Sequence, residues 1–543
     1  MVSTESATTQ TSPSVEQKDE EKNESPSTIA KPDKDFRFWM IVVALCMTGL
    51  LGALENTVVT TSLPTIVAAL NVGEDYVWIT NVFFLTSAVV QPLFGQVANS
   101  FGRRWLAISI VAIYTLGSGI CGGANSGGML IAGRAIQGIG SGGVNMIVDV
   151  IVSDLVPLRQ RGNYIAIVLT VYSIGTSRWV FYINLPVGGT ALVMLYLFLR
   201  VEWNKQAAFS ERIRKIDFIG NGILMASTVS ILLGLTYAGA RYPWSSWHII
   251  VPLVLGFIGY GIFAVFEGSS LCKEPVVPLR LFSHRTALII YFNTFLNSTL
   301  LYWAMFFLPV YFQGVLLSSA SRAGVQMLPI VLVAVPGAIV AVIILSKYGR
   351  YKHLHIVGFA LMTLGLGLFS IMDDSSPMAE WVIFQVLAAL GSDMILNTLL
   401  PAFQAGIEEK DQAAATASWS FIRSFGNVWG VAIPAAIFNN QFFDEARSID
   451  DPTSKTLVSG ARAYEHATRN FVNSFSEPAK QQIIDAFIVS LKLVWQIAIA
   501  FTCLAFVLSF FEKEIPLRNE LDTEFGMEGK KEGEQSVEKP VAI

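Results

Sequence analysis

The feature that most constrains this chain is a succession of apolar segments between residues 38 and 511. Each is about 20 residues long, the length at which an α-helix crosses the ~30 Å hydrocarbon core of a bilayer. Thirteen such segments lie near residues 38–61, 76–97, 105–122, 128–150, 178–200, 216–238, 247–267, 287–312, 322–345, 353–372, 380–404, 413–438 and 486–511. A fourteenth candidate, Tyr164–Thr176, is only 13 residues long. Composition points the same way. Of 543 residues, 53% are hydrophobic and 14% charged, and 36 Phe with 12 Trp are more than a water-facing surface can hide. Soluble proteins carry roughly 25% charged residues. The expected fold class is therefore an all-α polytopic membrane protein, not the several soluble domains that length alone suggests.

The net charge of −4 offers no basic patch for nucleic acid. The four cysteines (Cys46, Cys121, Cys272, Cys503) are scattered, with Cys272 in a polar loop, and suggest no disulfide framework. The five histidines are equally dispersed, and His353 and His355 sit beside a basic loop rather than among carboxylates. They read as interfacial or packing residues, so neither a metal nor a cofactor is expected.

Positive charge sets the expected topology. If the N-terminus is cytosolic and the short segment counts as span 5, inner loops hold sixteen Lys and Arg, among them Arg103, Arg104, Arg159, Arg161, Lys347 and Arg350. The short outer loops then hold three, Arg178, Arg241 and Arg322. This follows the positive-inside rule. A single crossing over 164–200 would turn twelve of the sixteen outward. Fourteen crossings, with span 5 truncated, is the plan that fits. The expected organisation is a disordered cytosolic tail at 1–37 and a bundle of spans 1–6 at 38–200. Central loops with spans 7 and 8 follow at 201–284, then a bundle of spans 9–14 at 285–512 with an outer loop at 439–485, and a cytosolic tail at 513–543.

Ionisable groups at membrane depth cost a few kcal/mol on insertion scales, which makes each a functional candidate. Glu55 lies two-thirds along the first span; alone there, a carboxylate can exchange a proton as access alternates, attract a cation, or pair with Arg134. Arg134 lies in the fourth span among glycines that let a neighbouring helix approach, and needs a carboxylate or carbonyl partner. Asp149 and Asp154 close that helix and read as anchors for the loop at Arg159 and Arg161. In the C-terminal half, Arg423 is a comparable buried cation and Asp393 a second acid. The Gly95–Arg104 stretch joins spans 2 and 3, with Gly95 and Gly102 permitting a tight turn and Arg103 and Arg104 able to pair with helix ends or acids. Ser346-Lys-Tyr-Gly-Arg-Tyr-Lys after span 10 partly repeats it. A basic Gly-Arg loop in both halves suggests an internal repeat of transporter type.

These residues resemble the major facilitator superfamily, and within it the fourteen-span drug:proton antiporters of filamentous fungi. Gly95–Arg104 is similar to the superfamily loop between spans 2 and 3, with Asn99 and Ser100 where the general pattern has an acid and a base. Arg134-x-x-Gln137-Gly138 resembles the span-4 motif that the family associates with proton transfer. Leu54-Glu-Asn-Thr-Val-Val resembles the first-span motif of fourteen-span members. Asp154-Leu-Val-Pro-Leu-Arg-Gln-Arg-Gly, Phe307-Leu-Pro-Val-Tyr-Phe-Gln and Asp411-Gln-Ala-Ala-Ala-Thr-Ala also fit, and the resemblance covers roughly 38–518. One departure stands out. The family's span-5 Gly-Pro-x-x-Gly-Gly motif is missing where Ser173-Ile-Gly-Thr runs into Ser177-Arg-Trp. Against the length a span needs, roughly 15–20 residues are lost, as in a deletion or a mis-spliced reading between Thr176 and Ser177.

The resemblance implies two six-helix bundles with two inserted helices, rocking around a midplane cavity, and proton-coupled efflux of a small, largely apolar organic compound. Proton-coupling candidates are then Glu55, Arg134, Asp393 and Arg423, and cavity candidates Asn81, Gln137, Tyr302 and Asn397. Implied partners are a small organic substrate, protons and the lipid bilayer, for a monomer in the plasma membrane or the vacuolar membrane. The alternatives are uptake, as by a siderophore importer, and an inactive product of the span-5 loss. A membrane-embedded enzyme lacks support: the chain has no HExxH, no Walker loop and no clustered His or Cys.

Overall fold

A computed structural model of the protein describes residues 36–49, 51, 76–155, 179–199, 209–238, 242–408, 411–449 and 467–517. Glu55, Arg159, Arg161, Tyr164–Thr176 and the Thr176–Ser177 junction lie outside the described residues. Among the described residues there are helices and no strand, only an isolated bridge between Ala238 and Tyr242. Eleven of the described helices are long and apolar enough to cross a membrane, and two shorter apolar ones cover Phe36–Gly49 and Asn184–Phe198. They fall on the thirteen apolar segments of the sequence. The protein is a multi-pass integral membrane protein.

The N-terminal half contains α1 (Phe36–Gly49), α2 (Tyr76–Val89), α3 (Gln91–Phe101), α4 (Arg103–Gly122), α5 (Gly127–Leu155) and α6 (Trp179–Phe198). The span expected over 76–97 is present as one crossing, Asn81–Phe101, interrupted at a single residue between α2 and α3. Pro92 in the first turn of α3 has no N–H to give to the preceding turn, so the helix breaks at Val90. After the paired helices α7 (Phe218–Tyr237) and α8 (Trp247–Glu267), the C-terminal half contains α9 (Arg285–Val310), α10 (Leu328–Tyr348), α11 (Lys352–Leu368), α12 (Met378–Gln404), α13 (Gln412–Glu445) and α14 (Ala479–Phe510). The outer loop expected over 439–485 is shorter than that, because α13 continues to Glu445 and α14 begins at Ala479.

Each half has its own apolar core. Ile41, Ile110, Tyr114, Ile147 and Leu195 anchor the first; Trp303, Phe307, Phe359, Phe487 and Trp495 anchor the second. The α7–α8 pair leans on both halves, through Trp78 of α2 against Tyr237 (5.5 Å) and Tyr260 against Phe425 of α13 (6.0 Å). The outward face of α8 leaves Val254, Leu255, Phe257, Ile258, Ile262 and Val265 exposed. Six large apolar side chains on one helix face are at home against lipid tails, not water.

Close helix approach in the first half depends on α5. A Cβ at Gly140 would meet Tyr114 N and Cα of α4 at 2.5 Å, and one at Gly138 would meet the Phe83 carbonyl oxygen of α2 at 2.5 Å. The small-residue face thus lets α5 sit between two backbones at once, the geometry in which dispersion contacts hold membrane helices together.

The sequence repeat is a structural one. Gly102 (φ 82°) and Gly349 (φ 67°) are the positive-φ glycines among the described residues, each standing between two spans at the same end of the molecule. A side chain there would clash with the backbone, so both turns require glycine. We refer to this as the basic end. Its two loops are held differently. The first is tied down by Arg103, and the second by the chain after α14: Glu514 Oε1 accepts from Tyr351 N (2.8 Å), and Tyr351 OH donates to the Lys513 carbonyl (2.9 Å). Nearby, buried Glu512 pairs with His355 Nδ1 (2.7 Å) and accepts from Asn293 Nδ2 (3.1 Å). His355 is a packing residue with a carboxylate partner supplied from 157 positions further along the chain.

Candidate functional site

Arg134 is the best-defined interior charge of the N-terminal half. It is 2% exposed, although its guanidinium carries five donors. Nε donates to the Ile79 carbonyl of α2 (2.9 Å) and Nη1 to Gln137 Oε1 (2.9 Å), while Phe83 presents its ring face 4.1 Å away. Among the described residues its acceptors are carbonyl oxygens, one of the two kinds of partner the sequence left open. Gln137, expected as a cavity residue, is fully buried and committed: its Nε2 donates to Ser118 Oγ of α4 (2.9 Å). Asn184 of α6 donates toward the same Ser118 (3.4 Å) and toward Tyr114 OH (3.4 Å), and Tyr114 OH donates to the Leu51 carbonyl (2.6 Å). One connected network thus joins α2, α4, α5, α6 and the chain just past α1. Such a network holds its shape because every broken link strands a polar group in low dielectric.

At the basic end, Arg103 is buried and its Nε donates to Asp154 Oδ2 (2.7 Å), with Nη1 on the Ala98 carbonyl (2.8 Å). Asp154 therefore anchors the loop between α3 and α4; the expected partners Arg159 and Arg161 are outside the described residues. Arg104 Nη2 caps the end of α6 through the Tyr196 carbonyl (2.6 Å). Asn99 is exposed. Gly95 differs from the expectation of a turn. It lies inside α3, and a Cβ there would collide with the side chain of Ala417 on α13. Its smallness serves a contact between the two halves. The sequence carries no sign of this, because the partner is more than 300 residues away, at Ala417.

That contact belongs to a larger junction. Gln91 Nε2 of α3 donates to Ser424 Oγ of α13 (2.8 Å), and Gln404 Nε2 of α12 donates to Ser153 Oγ of α5 (3.2 Å). Met146, Val150, Ala413 and Ala417 form an apolar cluster between them. The two halves are closed against each other at the basic end. Arg423 projects beside this junction with its guanidinium over the Trp419 ring (4.7 Å).

The remaining candidates lie in the C-terminal half and beside it. Asp393 is 9% exposed on α12, packed near Gly337 of α10, and its carboxylate has no hydrogen bond or ion pair among the described residues. Asn397 donates from Nδ2 to the Asp393 carbonyl (2.9 Å), with Oδ1 buried and unpartnered. Tyr302 of α9 stacks on Phe306 (6.1 Å) and meets Phe84 of α2 edge-on (5.8 Å), so it spans the two halves. Asn81 is half-buried on α2. The structure does not gather Arg134, Asp393 and Arg423 into one cluster of mutual hydrogen bonds; they sit on α5, α12 and α13.

Sequence reading missed one group. Asp217, Glu267 and Cys272 converge beside α7 and α8, with ligand-type atoms all within 4.8 Å of one another. Their atoms are already engaged. Glu267 accepts from Val276 N (3.1 Å) and Val277 N (3.2 Å), Asp217 accepts from Gly220 N (2.8 Å), and Cys272 Sγ donates to Asp217 Oδ2 (3.3 Å). Desolvation, reinforced by the hydrogen bond to Asp217 and by both carboxylates, pushes the Cys272 thiol up to about 12. Since the thiolate is the nucleophile, Cys272 is expected to react with maleimide at neutral pH roughly a thousandfold slower than an ordinary thiol. Asp217→Asn should speed labelling; equal rates in the parent and the variant would refute the account.

Residues 45–431 match the sequence profile of the Major Facilitator Superfamily. The chain is 49% identical over 520 residues to the MFS-type transporter TwmF of Talaromyces wortmannii, covering 92% of this chain and 94% of that protein. It is 42% identical to the efflux pump FUS6 of Gibberella moniliformis, covering 93% and 92%, and 40% identical to the MFS-type efflux pump LUC4 of a Fusarium species, covering 96% of each. Among solved structures it is similar to the human organic anion transporter MFSD10 (TM-score 0.56, 13% identity, covering 87% of this chain and 99% of that one). The proton:xylose symporter XylE is also similar (TM-score 0.52, 13% identity, covering 89% and 98%). At such identities the two structures speak for the fold alone.

Proposed function

The chain belongs to the Major Facilitator Superfamily and is a membrane transporter, and from that premise we propose that it exports a small organic toxin, secondary metabolite or drug in exchange for protons. The observation that carries this reading is the match, over more than nine-tenths of both chains, to FUS6 and LUC4, which are named efflux pumps. The interior supports it. Arg134 and Asp393 are charges kept at membrane depth, where a carboxylate or guanidinium is costly without a use.

In this reading the two halves, 38–200 and 285–512, rock about a midplane cavity, with 201–284 as the insert. The basic end faces the cytosol, as do both termini, and the protein works as a monomer in the plasma membrane or the vacuolar membrane. Glu55, Asp393, Arg134 and Arg423 carry the coupling; Asn81, Tyr302 and Asn397 line the path. Gln137 is assigned to the Arg134 network rather than to the substrate. Uptake of a siderophore is the second reading, and growth on a chelate as sole iron source separates it from efflux.

Glu55 is the coupling residue to test first. Export driven by an imposed pH gradient should fall sharply in Glu55→Gln while export down a substrate gradient persists. Undiminished proton-driven export would remove Glu55 from the mechanism. Whether the short segment before Ser177 belongs to the active protein is decided by sequencing the transcript across Thr176–Ser177. An unbroken genomic reading frame there, without an intron, would sink the deletion hypothesis; if this chain is the natural product, weak or absent transport is expected.

A further inference from the structure

Gln96 of α3 is buried, and its side-chain amide is bonded to the insert. Oε1 accepts from Asp217 N (3.1 Å) and from Asn221 Nδ2 (2.7 Å), and Nε2 donates to the Glu274 carbonyl (3.0 Å). The partners fix the amide's orientation, since a flip would face donors with donors and an oxygen with an oxygen. One side chain thus holds the start of α7 and the loop after α8 together. Asn221 is buried as well, and its Nδ2 also donates to the Asp217 carbonyl (2.8 Å). Such bonds are directional, and each one broken strands a polar atom away from water. Toward the C-terminal half the insert offers a different surface. Ile231, Leu232 and Leu235 of α7 cluster with Phe425 of α13. On α8 the rings of Tyr260 and Phe257 meet Phe425 (6.0 Å) and Trp429 (6.5 Å). Apolar contact is non-directional, so these side chains can exchange neighbours without leaving a polar group unpaired. The chain itself crosses to the C-terminal half over a short reach. Val276 N and Val277 N donate to Glu267 at the end of α8, while Arg280 Nε and Nη2 donate to the two oxygens of Asp411 before α13 (2.6 and 2.7 Å). Pro278 and Leu279 are all that separates the two anchorages.

We propose that Gln96 clasps the insert to the N-terminal half, so that α7 and α8 move as one body with that half while the C-terminal half turns against both, about a pivot at Pro278 and Leu279. Gln96 is a positioning residue, acting through the insert rather than on the substrate. As the halves rock, α13 slides over the apolar face of the insert and the hydrogen bonds at Gln96 stay closed. The pivot has little length to give. The three steps from Val277 to Arg280 span ~10 Å at full extension, and the ring of Pro278 fixes one of the backbone angles. At this point the insert and the C-terminal half can rotate but not separate.

This inference rests on the alternating-access reading above, and the test keeps the two apart. Spin labels at Asn99 on α3, Ile219 on α7 and Tyr348 on α10, all exposed at the basic end, are placed two at a time. The background has the four cysteines replaced, Cys272 by serine. As pH and substrate shift the protein between states, the Asn99–Ile219 distance should stay single, while Ile219–Tyr348 changes together with Asn99–Tyr348. An Asn99–Ile219 distance that changes with state would overturn the proposal, since the insert would then move apart from the N-terminal half. Gln96→Leu keeps the side chain's bulk and removes all three bonds. The fraction of molecules outside the main Asn99–Ile219 distance should rise about tenfold in this variant, the factor that roughly 1.4 kcal/mol makes. An unchanged distribution would overturn the clasp. Should Gln96→Leu not fold, Asn221→Ala removes the 2.7 Å bond from the insert's side and is read in the same way. A parent whose Asn99–Tyr348 distance never changes, at any pH or substrate concentration, would sink alternating access instead, and the Gln96→Leu distribution would still decide the clasp.

Discussion

Arg134→Ala is expected to reduce transport by about tenfold or more, a factor that corresponds to ~1.4 kcal/mol in a barrier, and to lower thermal stability at the same time. The reason is local and severe. The substitution removes charge-assisted hydrogen bonds to the Ile79 carbonyl and to Gln137, each worth ~1.5–3 kcal/mol. It also removes the contact with the Phe83 ring, worth about 2 kcal/mol where water is excluded. The space left is deep in the half-bundle, because Arg134 is among its largest fully buried side chains. Gln137 then loses a donor while still held by Ser118, and the disturbance passes to Asn184 and Tyr114. Arg134→Lys keeps the charge but not the planar fork that reaches two acceptors on different helices, so it should recover only part of the loss. Scanning fluorimetry in detergent gives the stability, and flux into inverted vesicles gives the rate. Full activity in the alanine variant would show that the network is dispensable.

Gly140→Leu should be as damaging by a different route. A Cβ at that position would meet Tyr114 N and Cα at 2.5 Å, and backbone atoms cannot swing away as a side-chain tip can. The helix α5 must therefore separate from α4, which breaks the packing around Tyr114 and Ser118. Overpacking a tight core costs ~1–3 kcal/mol or more, and in a bilayer the lost contacts have no hydrophobic term to replace them. The expected result is low yield of monodisperse protein. Gly128 and Gly222 provide the comparison: no atom lies within 4 Å of a Cβ built at either. Alanine there should leave yield, melting temperature and flux unchanged. If Gly140→Leu purifies as well as Gly128→Ala, the close approach of α4 and α5 is not what holds this half together.

These two positions also show how far the sequence could be read. Arg134 and the α5 glycines were visible as an ionisable group and small residues inside an apolar run, because the cost of burying charge and the need for close approach are properties of single segments. The partners of Arg134 were not visible. Ile79 contributes only a backbone carbonyl, which every residue possesses, and Gln137 looks the same whether it faces a cavity or a neighbour. In the sequence Gly95 is indistinguishable from a turn residue, since glycine serves both turns and close contacts, and only the position of Ala417 distinguishes them. His355 looked like an interfacial histidine because Glu512 comes from the far end of the chain. Asp217, Glu267 and Cys272 are 50 and 5 positions apart, with no motif spacing to mark them.

What the sequence determined by itself is the class of molecule and its placement in a membrane. Apolar length, scarce charge and the two Gly-Arg loops are one-dimensional quantities, and the bilayer reads them one segment at a time. The two glycine turns with positive φ, Gly102 and Gly349, are local in the same sense. Only the tertiary structure decided which charges are paired, which glycines separate backbones, and that the halves meet at the basic end through Gln91, Ser153, Gln404 and Ser424. The physical reason is range. Crossing a bilayer is decided within about 20 residues, whereas the junction between the halves is built from side chains hundreds of residues apart in the chain.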